Sequence, residues 1–291
     1  MAVVGLGLMG GSLARALRSA QPRTRILGVD LNSVTGTRAL NDGLVDRFGL
    51  PGEGLPSEAQ LVVLASPIRA ALQFLEEEAP HLPPETLITD VSSLNAPLLK
   101  RAEVAGVAQR YVSAHPMAGS EESGLAHARG DLYQDATVWL SASDAAGPEV
   151  RKRISAFWTA LGAAPRWIEA GEHDRTMAWV SHLPQLLSSA LAGALDSAGM
   201  TPADLGPGGR DMTRLAGSSS RMWTELLEFS APVTGTGLTS VSRALSALAD
   251  LLARREMDRV QEFLELTRSW ARAEDSLSAR AEADQAEPSS P

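Results

Sequence analysis

The residues in this sequence best suited to proton transfer are His115 and Ser93. His115 ends an apolar run, residues 111–115, and is followed by Pro116, which fixes the backbone behind it. A histidine at the carboxyl end of a strand can exchange a proton with a substrate hydroxyl; the alternative is a ring satisfied by nearby backbone groups. Ser93 follows the preceding predicted strand and is expected to reach the same pocket. A Ser/His pair also occurs in hydrolases, but the sequence has no G-x-S-x-G elbow.

A second stretch with possible chemistry contains His173 and His182. The two histidines lie nine positions apart and the sequence has no H-E-x-x-H motif, so we predict no metal site. His173 and Asp174 are predicted to be the cap and first turn of a helix. His182 lies just before Pro184, where a helix must kink or open, so its side chain is expected to face a cleft.

A third stretch carries Arg210 and Arg214, which lie four positions apart and share one face if the segment is helical. Forked guanidinium groups bind carboxylates through two hydrogen bonds at once. The alternative is a pair of solvated arginines. The glycine-rich residues 206–209 and the nearby Trp223 favour a carboxylate-binding role.

The element that organises these residues is a glycine-rich turn at the start of the chain. Gly5, Gly7 and Gly10 have the G-x-G-x-x-G spacing of dinucleotide-binding turns and follow a short apolar strand. Gly5 allows the tight turn, Gly7 leaves room for the pyrophosphate, and Gly10 allows close packing of helix on sheet. The first helical residues, Leu8 and Met9, are expected to direct their N–H groups at the phosphates.

The acid at the end of the next predicted strand, Asp30, indicates which dinucleotide binds. A carboxylate about 20 residues past the glycines accepts hydrogen bonds from the ribose hydroxyls of NAD and repels the 2′-phosphate of NADP. Residues 31–33, Leu-Asn-Ser, offer no cation for that phosphate. The predicted cofactor is therefore NAD.

Apolar strands alternate with helical segments as far as about residue 169, and helical spacing alone continues after it. This pattern predicts an α/β protein, with an N-terminal Rossmann-type doubly wound sheet followed by an all-helical C-terminal domain. The predicted domains are 1–169 for NAD binding, 170–273 for substrate and dimerisation, and 274–291 as a disordered tail. Ligands bind beyond the carboxyl ends of such strands. The turn containing Ser66 and Pro67 is expected there too, as a further part of the cofactor site.

Composition excludes several classes of function. The net charge of −9 argues against nucleic acid as a partner. The chain has no cysteine, which excludes disulfides and thiol catalysis and is typical of a reducing cytoplasm. No apolar run is long enough to span a membrane. The apolar C-terminal helices must be covered, which predicts a homodimer through the helical domain.

Four stretches together resemble the prephenate and arogenate dehydrogenase family of tyrosine biosynthesis, over nearly the whole chain to about residue 270. Beyond the glycine-rich turn, they are D-V-S-S at 90–93, H-P-M-A-G-S-E at 115–121, S-H-L-P at 181–184, and R-D-M-T-R at 210–214 with Met222-Trp223.

The resemblance implies oxidative decarboxylation of prephenate, with NAD accepting the hydride. His115 would then accept the hydrogen bond of the C4 hydroxyl, with Ser93 in support. An ordinary imidazole would make activity rise with pH near about 6.5. Arg214 would bind a substrate carboxylate. The other residues that would line the substrate pocket are Arg210, His182, Ser120, Glu121 and Gln185.

Two departures from the family pattern leave open the role of one position and the choice of substrate. Asn95 stands where many members have lysine, and Gln185 stands where many prephenate users have a second histidine. The alternative substrate is therefore arogenate, which would give tyrosine directly. Another β-hydroxyacid-type dehydrogenase is a further alternative, although such enzymes use a lysine. A non-catalytic NAD-sensing regulator would need no histidine and arginine cleft.

Overall fold

Strands between Ala2 and Trp167 form one sheet, seen in a computed structural model that describes residues 1–53, 59–119 and 122–286, with side chains to residue 272. Its eight strands run in the order β3-β2-β1-β4-β5-β6-β7-β8. All neighbouring pairs are parallel except β6 and β7. The strands are β1 Ala2–Val4, β2 Leu27–Val29, β3 Arg47–Gly49, β4 Leu61–Leu64, β5 Leu87–Asp90, β6 Tyr111–Pro116, β7 Thr137–Ser141 and β8 Ala164–Trp167.

Helices cover both faces of the sheet because its central strands are apolar on both sides. Val3 and Val63 pack in one buried cluster, while Val62 and Leu64 pack in the other. Such double burial is the reason parallel strands appear as continuous apolar runs in sequence. The helices of this part are α1 Leu8–Ala20, α2 Ser33–Asn41, α3 Ile68–Glu77, α4 Ala96–Val104 and α5 Pro148–Ala160.

The rest of the described chain is helical. Its helices are α6 Ala170–Met177, α7 Leu183–Ser197, α8 Pro207–Thr213, α9 Ser220–Ala253 and α10 Met257–Ala286. A π-helical turn, Ala178–His182, joins α6 to α7, and a 3₁₀ turn, Arg214–Gly217, follows α8. The predicted fold class, a Rossmann-type sheet followed by helices, is confirmed.

The structure differs from the sequence prediction in two elements. β3 was not predicted, because three residues with an arginine at the start carry no apolar pattern. The apolar spacing of residues 241–270 predicts one helical run, but the helix is broken at residues 254–256, where Arg255 has a φ of 59°. A non-glycine residue in that region ends a helix.

The chain divides into two compact units, residues 1–235 and 236–291. The second unit consists of the end of α9 and α10, with exposed apolar side chains at Leu245, Leu264 and Trp270. The domain limits predicted at 169 and 273 remain predictions. Of the tail predicted to be disordered, residues 274–286 are helical as the end of α10, and residues 287–291 lie outside the described residues. Within the described residues, no helix has an apolar stretch of the length that would cross a membrane.

Candidate active site

The glycine-rich turn connects β1 to α1 against the neighbouring strand. Gly5 has a φ of 98°, and a Cβ added there would lie 2.5 Å from the Ala65 carbonyl oxygen. A Cβ at Gly10 would lie 1.8 Å from the carbonyl oxygen of Gly5. These two glycines are therefore required by the packing of the turn, the helix and the sheet.

Gly7 is different, because a Cβ added there would meet no atom within 4 Å. Gly7 is the N-cap of α1 and has no side chain with which to cap the helix. The first helical hydrogen bond runs from Gly11 N to Gly7 O, 2.9 Å. The amides of Leu8 and Met9 precede it, at a helix end that carries partial positive charge. The open space at Gly7 fits a pyrophosphate.

Asp30 follows β2 and is held beside this turn. Its Oδ2 accepts a hydrogen bond from the Leu6 amide, 2.7 Å, and its Oδ1 accepts one from the Asn32 amide, 2.8 Å. A carboxylate has about four lone-pair sites, so both oxygens can accept further hydrogen bonds. The position and charge fit the ribose hydroxyls of NAD. Together with Gly7, Asp30 gives a donor and acceptor set suited to a dinucleotide.

The β4–α3 turn, which contains Ser66 and Pro67, lies beside the glycine-rich turn, since a Cβ added at Gly5 would be 2.8 Å from the Ser66 amide nitrogen. The Ala65 amide donates to the Val4 carbonyl at 2.6 Å, which ties this turn to β1. Pro67 is exposed as the N-cap of α3. Ser66 Oγ is buried, with no hydrogen-bond partner among the residues that the structure describes. The structure thus brings all the predicted cofactor residues to one edge of the sheet.

His115 lies at the carboxyl end of β6 and is half-buried. Its Nδ1 is 3.0 Å from Nε2 of His173, and the two rings meet edge to face at 5.1 Å. Burial lowers the pKa of His115 to about 3, with smaller contributions from His173 and His182. For the free protein, an increase in activity that follows the titration of His115 is therefore expected well below pH 6.5, the reference value of an ordinary imidazole, because the surroundings disfavour the charged ring.

His173 and Asp174 are not the helix cap that the sequence predicted. Glu169 caps α6 instead, accepting hydrogen bonds from the amides of Gly171 and Glu172 at 2.7 Å each. His173 is fully buried inside the helix, and its Nδ1 lies 2.7 Å from Asp174 Oδ1. Neither His173 nor Asp174 was predicted from the sequence to belong to the site.

Asp174 and Asn95 connect this cluster to the sheet. Asp174 accepts hydrogen bonds from the amides of Asn95, 2.9 Å, and Ala96, 3.0 Å, at the start of α4. The Asn95 side chain is buried, donates to Ser141 Oγ at 2.9 Å and accepts from Ser113 Oγ at 3.2 Å. Asn95 thus sits in a neutral network between β6 and β7.

His182 is buried at the end of the π-helical turn. Pro184 cannot donate the next helical hydrogen bond, and single π turns accommodate such interruptions. The ring stacks edge to face on Trp223 at 5.8 Å, and Nδ1 lies 3.4 Å from Thr234 Oγ1. The pKa of His182 is lowered to about 4, chiefly by burial; Asp174 raises it and His173 lowers it. His182 therefore faces the same cluster as His115.

The two arginines lie in adjacent segments. Arg210 is in α8, and Arg214 begins the following 3₁₀ turn; both are exposed in this chain. Gln185 is buried and its Nε2 donates to the Leu215 carbonyl at 2.8 Å. Gln185 therefore holds the backbone next to Arg214, a role that the sequence did not reveal.

The remaining predicted residues are not brought into contact with this cluster by the described structure. Ser93 is exposed on the turn between β5 and α4. Ser120 and Glu121 lie outside the described residues. The roles of these three residues, like those of the other predicted site residues, remain predictions.

Comparison with known proteins identifies relatives that cover almost all of this chain. Residues 13–165 match the family model described as "Prephenate dehydrogenase, nucleotide-binding domain", and residues 169–266 match "Prephenate dehydrogenase, dimerization domain". A prephenate dehydrogenase of Lactococcus lactis subsp. cremoris is 31% identical over 270 residues, covering 90% of this chain and 74% of the relative.

Two further relatives extend the comparison. A cyclohexadienyl dehydrogenase of Zymomonas mobilis is 28% identical over 263 residues, covering 89% of this chain and 90% of the relative. The crystal structure of prephenate dehydrogenase from Aquifex aeolicus, in complex with hydroxyphenyl propionate and NAD+, superposes with a TM-score of 0.83. It is 26% identical in sequence, and the match covers 93% of this chain and 96% of that one.

Proposed function

The chain belongs to the prephenate dehydrogenase family, and from this premise we propose that it converts prephenate to 4-hydroxyphenylpyruvate and CO2 with NAD, in tyrosine biosynthesis. The proposal rests on one observation: His115 lies on the same edge of the sheet as the glycine-rich turn. It lies among buried polar groups there. A proton acceptor and a dinucleotide on one edge are what an alcohol dehydrogenation requires.

The residues of the turn would hold the cofactor. The amides of Leu8 and Met9 and the open space at Gly7 suit the pyrophosphate, and Asp30 suits the adenosine ribose. Ser66 and Pro67, on the neighbouring turn, border the same space. When bound, NAD supplies the hydride acceptor.

His115 acts on the substrate hydroxyl in this proposal. The C4 hydroxyl of prephenate donates a hydrogen bond to the ring, and its proton passes to His115 as the carbonyl forms. Loss of the ring carboxylate as CO2 makes the ring aromatic and leaves a phenolate oxygen, which takes the proton back from His115 to give the product hydroxyl. The protein has chiefly to orient the ring and to hold this proton in the meantime. Ser93 supports the hydroxyl from the β5–α4 turn.

Two carboxylates of the substrate need positive partners. Arg214 is proposed to bind one of them through both guanidinium nitrogens, with Arg210 one helical turn before it. Gln185 supports this role because it fixes the Leu215 backbone next to Arg214. The other residues proposed to line the substrate site are His182, Ser120 and Glu121.

The experiment is a four-way assay of the purified protein, with prephenate or arogenate and with NAD or NADP. Formation of reduced cofactor is followed by absorbance, and release of CO2 is measured in parallel. We expect turnover with prephenate and NAD, and much lower kcat/KM with NADP because of Asp30. Absence of turnover with both acids would refute the proposal, and a preference for NADP would refute the role of Asp30.

Arogenate is the second candidate substrate. Gln185 offers an uncharged amide at a position near the substrate side chain where many prephenate users have histidine, and one relative is named a cyclohexadienyl dehydrogenase. A higher kcat/KM with arogenate in the same assay would establish this alternative.

Other β-hydroxyacid-type dehydrogenases need a lysine, but Lys100 and Lys152 lie on α4 and α5, both exposed.

We also propose a homodimer formed through the helical domain, working in the cytoplasm. Support comes from the match of residues 169–266 to a dimerization domain. Exposed apolar side chains on the last two helices, such as Leu245 and Leu264, are of the kind that interfaces cover. Light scattering after gel filtration should give twice the mass of the chain.

A further inference from the structure

The histidine pair and carboxylate behind the proposed base form a connected series from β6 to the start of α4. We infer that His173 and Asp174 are positioning residues that hold His115 in the tautomer protonated on Nδ1, which leaves Nε2 free to accept a proton. The tautomer follows from the hydrogen bonds that connect Asp174, His173 and His115. Its consequence for catalysis rests on the proposed function.

The series is anchored at Asp174. Its Oδ1 accepts from the Asn95 amide and its Oδ2 from the Ala96 amide, at the first turn of α4. The partial positive charge of that helix end stabilises the ionised carboxylate. An ionised carboxylate only accepts hydrogen bonds. The third contact of Asp174, at 2.7 Å, is with Nδ1 of His173, so this nitrogen must carry a hydrogen.

The tautomer of His173 then determines that of His115. In a neutral imidazole one nitrogen donates and the other accepts. With Nδ1 donating to Asp174, Nε2 of His173 is an acceptor. Its partner, 3.0 Å away, is Nδ1 of His115, which must therefore donate. The remaining nitrogen of His115, Nε2, keeps its lone pair.

This arrangement balances the proton in the proposed reaction. The substrate O–H bond breaks, a new N–H bond forms at Nε2 of His115, and the hydride leaves C4, for which NAD would be the acceptor when bound. The hydrogen on Nδ1 stays in place, and the resulting imidazolium donates more strongly to His173. The negative charge of Asp174 stabilises the cation through the intervening ring. Loss of CO2 then leaves a phenolate oxygen, which takes the proton back from Nε2 to form the hydroxyl of the product.

Among the described residues, the titratable groups that face His115 are His173, with Asp174 behind it on α6, and His182 from the π-helical turn. Asn95 adds rigidity from the other side, since its side chain bridges Ser113 on β6 and Ser141 on β7. The opposite tautomer of His115 would require His173 to donate from Nε2. That proton arrangement requires either a cationic His173 or a loss of its hydrogen bond to Asp174.

The direct test is nitrogen NMR of the whole protein labelled with ¹⁵N-histidine. The chain has only five histidines, and the signals of His115 can be assigned by their loss in His115→Gln. At pH 7 without substrate, we expect Nδ1 to be protonated and Nε2 to be unprotonated. A protonated Nε2 on neutral His115 would overturn the inference. This result does not depend on which substrate the enzyme uses.

The kinetic test compares His173→Leu with His173→Gln. Leucine is similar in size but accepts no hydrogen bond, whereas the Gln carbonyl can accept from His115 Nδ1. We expect kcat to fall about ten- to hundredfold in His173→Leu, as for loss of a hydrogen bond to a charged group, with the Kd of NAD unchanged. His173→Gln should recover most of kcat. His81→Gln, on an exposed histidine outside the site, is the control.

Equal losses of kcat in the two His173 variants would refute the positioning role. If His173→Leu does not fold, the NMR experiment on the unmodified protein still decides the tautomer. If the unmodified protein turns over neither prephenate nor arogenate, the proposed function fails while the tautomer measurement remains valid.

Discussion

Gly7→Ala adds one methyl group to the space that we assign to the cofactor pyrophosphate. The new Cβ meets no protein atom within 4 Å, and the extended backbone, with a φ of −70°, is open to alanine. Removing a glycine stabilises by about 0.4–1 kcal/mol through the unfolded chain, and alanine is a poorer N-cap by a comparable amount. The free energy of unfolding is therefore expected to change by less than about 1 kcal/mol.

The effect of Gly7→Ala on NAD should be much larger. The methyl group would separate the pyrophosphate from the amides at the start of α1, weakening the contacts that hold it. We expect the Kd of NAD to rise at least about tenfold, which corresponds to roughly 1.4 kcal/mol. Titration calorimetry measures this Kd without requiring turnover.

Gly10→Ala is the matched control, because its Cβ would lie 1.8 Å from the Gly5 carbonyl oxygen and 3.1 Å from Ala65 Cβ. The helix must move, and overpacking of this kind costs about 1–3 kcal/mol. Calorimetric Tm values should therefore fall for Gly10→Ala and stay nearly unchanged for Gly7→Ala. Normal NAD binding by Gly7→Ala would refute the assignment of this space to the pyrophosphate.

Two further predictions concern charged side chains. Arg214→Ala should raise the KM for prephenate about ten- to hundredfold through loss of a charge-assisted hydrogen bond, with the KM for NAD unchanged. The control is Arg153→Ala, on an exposed arginine of α5, and equal KM values in the two variants would contradict the proposed role. Burial raises the pKa of Asp90 to about 6 from 3.8, against hydrogen bonds from Tyr111 and Ser92, so the folded protein holds this proton more tightly than the unfolded chain. The contribution of Asp90 to stability is therefore present below pH 3.8 and is lost as pH rises through 6. As pH rises from 3.8 to 6, the free energy of unfolding of Asp90→Asn should increase relative to that of the unmodified protein by on the order of 3 kcal/mol. Urea unfolding at pH 4 and 7 can measure this change. A difference that is constant with pH would disprove the role of Asp90.

The sequence was sufficient for the parts of the fold that depend on local rules. The glycine spacing located the turn because Gly5 and Gly10 leave no room for a Cβ, a requirement visible in the residue type itself. The apolar runs located β4 and β5 because both of their faces are buried. β3 could not be found in this way. Its three residues, Arg47–Gly49, are exposed or half-buried and pair only with β2.

The site was harder to predict because its members come together only through tertiary packing. His173 and Asp174 have ordinary identities for the start of a helix, and the sequence predicted that role. What decides their role is that Glu169 already caps α6, so that His173 points into the core and Asp174 reaches the amides of a different helix, α4. The available signal was the i, i+4 pair His173 and Met177, which are both buried on one helical face.

The pKa of His115 shows why the type of a residue is not enough to predict its chemistry. The sequence places an ordinary imidazole on the edge of the sheet, but burial and two neighbouring histidines lower its pKa to about 3. The ring is therefore neutral, and able to accept a proton, throughout the neutral range.

A base with such a low pKa is weak toward an ordinary hydroxyl. The hydroxyl becomes strongly acidic as the hydride leaves its carbon, so the proton transfer is favourable when it is needed. Burial thus keeps His115 uncharged before the reaction, and the Asp174 carboxylate, two hydrogen bonds away, stabilises the charge that forms during it.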